Sequence, residues 1–178
     1  MIKFDRSQED FYRILFVVSA LDPKDYRDHV TYLKCENNVI VGTDSKRLHE
    51  TRLLYTELPD GYYEIVKKTK TTLIIDKVKE LDEAQYPNYS DMLNGKGSGE
   101  KIEYKHNDDY KTIELASLLS ADIARAMGQT ALNFRYVEDI VKSHENYFDV
   151  YVKDSDSPVV FKSFAVRACI MPLRGWLL

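Results

Sequence analysis

The chain has 178 residues, 44% of them hydrophobic, and sets 25 Lys and Arg against 29 Asp and Glu for a formal net charge of −4. Such a length predicts one domain, or one domain with an appendage, that buries a substantial core. The balance excludes tight DNA binding through bulk charge, and no run approaches the roughly 20 apolar residues of a membrane span.

Taken in chain order, Met1 to Asp5 alternates Ile2 and Phe4 with polar neighbours and predicts a short strand. Ser7-Gln8-Glu9-Asp10 has the form of a capping box. Phe11, Ile14, Leu15, Val18 and Leu21 then recur at helical spacing, and Asp22-Pro23 ends that helix. His29 to Lys34 and Asn38 to Thr43 predict two strands around the turn-prone Glu36-Asn37-Asn38. Lys46 to Leu54 and Tyr62 to Lys67 predict two more, parted by the turn Leu58-Pro59-Asp60-Gly61, and Thr71 to Val78 a further one. The first half therefore reads β-α-β-β-β with one additional strand.

Residues 94–101 hold three of the seven glycines and predict a flexible linker between residues 1–93 and 102–178. The string Gly95-Lys96-Gly97-Ser98-Gly99 looks superficially like a phosphate loop. Ile102 follows Lys101 where that motif needs Ser or Thr, and no buried strand precedes it. Beyond the linker, Ile113, Leu115, Leu118, Leu119, Ile123 and Met127 predict a helix ending at Gly128. An extra helix is predicted over Arg135 to Ser143. Tyr147 to Lys153, Val159 to Ser163 and Ala165 to Leu173 predict three closing strands, the first two joined by the turn Asp154-Ser155-Asp156-Ser157-Pro158. Helix then three strands occurs in both halves, an internal repeat.

Cys35 and Cys169 stand far apart with no metal-ligand spacing, which predicts two buried thiols in a reducing compartment. The N-terminal Met1-Ile2-Lys3-Phe4-Asp5 lacks the apolar core of a signal peptide, so a cytoplasmic protein is expected. Thirteen tyrosines point to sheet rather than to base stacking. His29, His49, His106 and His144 are scattered, and no nucleophile elbow or metal-binding pair occurs. The expectation is a protein that is not an enzyme, with no catalytic residues, no cofactor and no metal.

Three phrases carry a family resemblance. They are Val39-Ile40-Val41-Gly42-Thr43-Asp44-Ser45-Lys46-Arg47-Leu48, Tyr86-Pro87-Asn88-Tyr89-Ser90-Asp91-Met92-Leu93 and Cys169-Ile170-Met171-Pro172-Leu173-Arg174. In this order they resemble the sliding clamp of bacterial DNA polymerase, the β subunit of the replicase. Leu132-Asn133-Phe134-Arg135-Tyr136-Val137-Glu138-Asp139-Ile140-Val141 is similar to the segment that opens the family's last helix. The resemblance covers roughly residues 28–58, 86–93 and 131–174. It implies an α+β DNA-clamp fold, a single clamp-like domain of antiparallel sheets backed by helices in two β-α-β-β-β-like halves. Bacterial clamps are close to twice this length and close into a ring as dimers. This chain looks like a minimal unit of the kind expected on a phage or mobile element, and a ring of single-domain subunits would need about six copies.

The resemblance further implies a partner-peptide groove from Thr43, Arg47, Leu48, Tyr86, Pro87, Tyr89, Met92, Met171, Pro172, Leu173 and Arg174. Lys46 and Ser45 depart from the family's pattern there. By their types alone, Leu48, Met171 and Leu173 serve equally as strand core, and both arginines as solvated charge. The implied partners are polymerase-type proteins carrying clamp-binding peptides, duplex DNA bound without sequence preference, and further copies of the chain, with no membrane. Because clamp helices line the hole, Arg6, Arg13, Lys24, Arg27, Arg135 and Lys142 are the candidate phosphate contacts. Lys67, Lys68 and Lys70 form the densest basic cluster, placed near a hairpin tip and readable as solubilising lysines or as phosphate contacts. The tail Gly175-Trp176-Leu177-Leu178 resembles the apolar end of a clamp-binding peptide, suited to packing on the nearest sheet or to occupying a groove. A monomeric interaction protein that binds clamp partners without encircling DNA is the alternative function.

Overall fold

The computed structural model describes residues 1–79, 86, 88–93, 99–128, 130–143 and 145–173. By packing, the chain forms two compact units, Met1–Asn88 and Tyr89–Leu178.

In the first unit, β1 (Ile2–Asp5) leads into α1 (Glu9–Val18) and the single turn α2 (Asp28–Thr31). The strands β2 (Leu33–Glu36), β3 (Val39–Thr43), β4 (Arg47–Arg52), β5 (Gly61–Lys68) and β6 (Thr72–Lys77) follow. Every pairing within this unit is antiparallel, in the order β1-β6-β5-β2-β3-β4. The β2–β3 hairpin closes through Asn37 and Asn38, at φ 51° and 62°. Asparagine tolerates this left-handed pair, which a two-residue hairpin loop requires.

α1 packs on β3 and β4, burying Phe11, Ile14, Val17 and Val18. Gly42 makes that approach possible. A Cβ built there would lie 2.9 Å from the Val17 carbonyl oxygen and 3.1 Å from Leu21 Cδ2. Gly42→Ala must therefore push the helix off the sheet, and should destabilise the protein by about 2 kcal/mol. Urea denaturation of the variant beside the parent checks this.

Three local expectations need correction. Ser7 does not cap α1: Gln8 is the capping position without a side-chain cap bond, and its Oε1 instead accepts the Asp5 N–H at 2.7 Å. The helix ends at Val18, before Asp22-Pro23, so Leu21 packs from the following turn. The stretch 29–34 is not one strand, because α2 takes its first half and β2 begins only at Leu33.

The second unit comprises α3 (Ser90–Leu93), β7 (Glu100–Lys105), α4 (Thr112–Ala126), α5 (Phe134–Val141), β8 (Tyr147–Val152), β9 (Val159–Lys162) and β10 (Val166–Ile170). Its sheet is also antiparallel, in the order β10-β9-β8-β7. Gly128, at φ +67°, stops α4 where the sequence places the stop. Asp154 Oδ1 accepts the N–H groups of Asp156 and Ser157 and so builds the β8–β9 turn. The strand β7 overlaps the expected linker, and Ser90–Leu93 belongs to the second unit rather than closing the first.

With β7 in place, both units share one plan: a strand, helices, then three strands. The first unit differs by an extra hairpin, β5–β6, inserted between β1 and β2 in its sheet.

Candidate functional site

The Thr43–Leu48 segment is a tight, self-bonded turn. Asp44 Oδ1 accepts the N–H groups of Lys46 and Arg47, both at 2.9 Å, and Ser45 takes a left-handed φ of 70°. Thr43 Oγ1 donates to the Arg47 carbonyl at 2.6 Å and accepts from Ser45 N–H at 3.0 Å. Asp44 Oδ2 receives Arg47 Nε at 3.1 Å, and Arg47 Nη2 donates to the Ser19 carbonyl at the end of α1. The side chains of Arg47 and Asp44 are only 10% and 12% exposed. Arg47 thus clasps the turn to the helix, as a charge-assisted, fork-shaped donor does well.

Leu48 and Thr43 face one another across the hairpin and are 3% and 4% exposed. Of the expected peptide-contact positions in this hairpin, none offers a large free surface. On the next position, His49 is fully buried and stacks on Phe16 with ring centroids 4.2 Å apart. Its Nδ1 lies 2.8 Å from the Phe16 carbonyl and 3.2 Å from Ser19 Oγ. A carbonyl only accepts, so the proton sits on Nδ1, and Nε2 finds no partner among the described residues. Burial pushes the His49 pKa down to about 3, against the opposing pull of the Phe16 carbonyl.

Tyr86 comes to rest on the sheet face away from α1. Its ring lies 5.9 Å from that of Tyr62, and Lys34 Nζ stands 5.6 Å over it. Lys34 is opposite both Tyr62 and Val41 in register, which fixes the face. Pro87 lies outside the described residues.

In the second unit, Tyr89 starts the α3 turn, accepting from the N–H groups of Met92 and Leu93. Leu93 is buried while Met92 is 37% exposed, and α3 packs on β10. Met171, Pro172 and Leu173 continue directly from β10, and the Leu173 N–H donates to the Ala131 carbonyl at 2.9 Å. Pro172 is buried, Met171 partly so, and Leu173 is 50% exposed. Within this unit, α3 carries Met92 and packs on β10, and Met171, Pro172 and Leu173 follow that strand. Arg174 and the tail 175–178 lie outside the described residues.

The basic candidates are mostly occupied. Arg13, 11% exposed, pairs with Glu9 at 2.6 Å. Arg27 grips Asp25 with two bonds of 2.9 and 2.8 Å, holding that carboxyl at about 2. Lys142 pairs with Glu138 at 2.9 Å. Arg6 donates to the Tyr12 hydroxyl at 3.1 Å, and Lys24 and Arg135 are exposed. Each of the three long helices sets one arginine against two carboxylates: Arg13 with Glu9 and Asp10, Arg125 with Glu114 and Asp122, Arg135 with Glu138 and Asp139. None of them, even with the flanking Lys111 and Lys142 counted, is net positive, a weak match for phosphate.

Two groups with structural duties escape sequence reasoning. Asp10 is 1% exposed, and its carboxylate accepts the N–H groups of Leu54, Tyr55 and Thr56 at 3.0, 3.0 and 2.7 Å. His49 fills the space beneath α1. Neither has a spacing signal, since their partners stand 30 to 46 residues away. Cys35 and Cys169 are both buried and form no disulfide, and burial raises Cys35 to about 11. No helix among the described residues is long and apolar enough to cross a membrane.

No family model and no curated protein matches the sequence. Solved structures do match in fold. The DNA polymerase III β subunit of Thermotoga maritima superposes at a TM-score of 0.62 with 12% identity, over 98% of this chain and 65% of that one. The Pseudomonas aeruginosa sliding clamp gives 0.59 and 15%, over 98% and 67%. The Helicobacter pylori β clamp bound to a DNA ligase peptide gives 0.59 and 11%, over 97% and 66%. The chain spans about two thirds of the length of these clamps. The likeness establishes the fold: α+β, with antiparallel sheets backed by helices, as in the sliding clamps.

Proposed function

We propose that this clamp-fold chain is a sliding-clamp-like accessory protein of DNA replication or repair. It acts in the cytoplasm without chemistry of its own, docking polymerase-type partners through their clamp-binding peptides and holding duplex DNA without reading sequence. The observation that carries this reading is the clamp likeness over 97–98% of the chain. The Helicobacter pylori clamp holds a DNA ligase peptide, which makes that peptide the natural probe.

Support for peptide docking differs between the units. In the second, Met92 and Leu173 present apolar area beside the buried Leu93 and Pro172. Such a surface suits spaced apolar side chains, with methionine adapting its shape. In the first, Thr43, Arg47 and Leu48 are committed to the turn and the core, so their contribution is a rigid backbone rather than exposed side chains.

The test is a fluorescence-anisotropy titration of the labelled ligase peptide. Leu173→Asp should weaken binding at least about tenfold, because an ionised carboxylate opposes burial of the apolar peptide. Unchanged affinity in that variant, or no binding by the parent, contradicts the docking reading.

A second reading has one observation in its favour. Because none of α1, α4 and α5 is net positive, a monomer that binds clamp partners without encircling DNA fits the helix charges better than a ring does. Light scattering on the purified chain separates the two. A ring requires a multimer, and a monomer at micromolar concentration favours the second reading.

A further inference from the structure

The helices carry no net positive charge, yet one exposed element is strongly basic. It is the tip of the β5–β6 hairpin, the element by which the first unit's sheet exceeds the second's. Lys67, Lys68 and Lys70 are all exposed there, and none pairs with a carboxylate among the described residues. Arg6 joins them. Its N–H donates to the Thr71 carbonyl at 2.9 Å, extending the β1–β6 ladder to the tip.

The tip is rigid, which fixes where these charges stand. Thr69 N–H donates to the Thr72 carbonyl at 2.9 Å, and Thr69 Oγ1 accepts from the N–H groups of Thr71 and Thr72. A bulge at Val66 shifts the register between Ile65 and Lys67. It sets Lys67 opposite Ile74, and Lys68 opposite the buried Leu73. The two lysines therefore leave opposite faces of the hairpin, with Lys70 at the turn between them. Arg6 falls on the same face as Lys68, since Phe4 is also opposite Leu73 and Arg6 is two residues on. Asp5, opposite Thr72 in register, is already bonded to Thr72 Oγ1 and paired with Lys3.

We propose that this tip, through Lys67, Lys68, Lys70 and Arg6, contacts the phosphate backbone of duplex DNA. Four cations on one hydrogen-bonded hairpin tip offer several points of contact to phosphate, whereas the helix cations are largely bonded to carboxylates. Residues 66–72 contain no aromatic ring for stacking on unpaired bases and no Asn or Gln for reading base edges. The contact is thus sequence-independent and prefers a duplex. It rests on the replication reading only in the choice of DNA as the partner.

The experiment is anisotropy of a labelled duplex of random sequence, titrated with the full chain between 50 and 200 mM salt. Four phosphate contacts give a log–log salt slope of about −3 to −4. K67A/K68A/K70A should bind about tenfold or more weakly and lose about 3 from that slope, while K67R/K68R/K70R should retain both. Far-UV circular dichroism checks that the variants fold, and the single reversal K70E at the turn should weaken binding even if the triple alanine does not fold. Four results would overturn the proposal: no salt-dependent binding by the parent, equal binding by the alanine variant, loss of binding on R135A/K142A instead, or equal affinity for single-stranded DNA. Capture by anionic phospholipid vesicles with no duplex binding would assign the tip to a membrane surface and overturn it too. The ligase-peptide titration reads a different surface, so either result stands or falls alone.

Discussion

Asp10→Ala is expected to destabilise the protein by about 3 kcal/mol or more, as a lowered urea midpoint with an unchanged slope. The Asp10 carboxylate is 1% exposed and accepts three consecutive backbone N–H groups, from Leu54, Tyr55 and Thr56. Hydrogen bonds to an ionised acceptor each contribute roughly 1.5–3 kcal/mol, and alanine removes all three acceptor contacts together. The loss exceeds that of an ordinary surface cap because the N–H groups lie in a part-buried loop where water replaces the carboxylate poorly. Asp10→Asn keeps one oxygen and should recover part of the loss. An alanine variant as stable as the parent would mean the 54–56 loop holds its form without this anchor.

The second large effect is on pH dependence. His49 is neutral in the fold, with its pKa pushed down to about 3 by burial beneath α1 and, less strongly, by the nearby Arg47 cation. In the unfolded chain it titrates near 6.5. Between those values the unfolded state binds the proton and the native state does not, so falling pH favours unfolding. The stabilisation is complete above about pH 6.5 and is lost at up to about 1.4 kcal/mol per pH unit as pH falls toward 3. Carboxylates held low, such as Asp25 beside Arg27, give way only in more acid solution. Stability measured from pH 7 to 4.5 should thus fall more steeply in the parent than in His49→Leu. Parallel slopes would show that His49 takes up its proton without opening the fold.

Both groups also show where sequence reasoning reaches its end. The Asn37-Asn38 hairpin, the amphipathic stripe of α1 and the glycine stop after α4 were legible because their causes are local: left-handed backbone, helical spacing, a missing Cβ. The strand β7 was not. Glu100-Lys101-Ile102-Glu103-Tyr104-Lys105 is dense in charge and follows a glycine run, and only Ile102 and Tyr104 face inward in register with Val150 and Phe148. The failed capping box has a similar cause. Gln8 turns its side chain to Asp5 N–H while Asp10 is drawn to a loop more than forty residues away.

The candidate docking positions divide along the same line. Order and spacing of three phrases pointed to the clamp fold, and the fold is present. The phrases did not show which strand face is covered. Leu48 looks like any alternating strand residue, yet it is 3% exposed, whereas Leu173 keeps half its surface. Likewise Arg47 by its type alone serves equally as solvated charge, until the turn geometry brings it to Asp44 and carries the guanidinium to Ser19.

Hydrogen–deuterium exchange with and without the ligase peptide tests the docking claim most directly, because it locates the contact residue by residue. Slowed exchange concentrated in 168–173, including the Leu173 amide bonded to Ala131, is the pattern expected of a docked clamp-binding peptide. Protection confined to other segments, or none at saturating peptide, would leave a clamp fold that serves a different purpose.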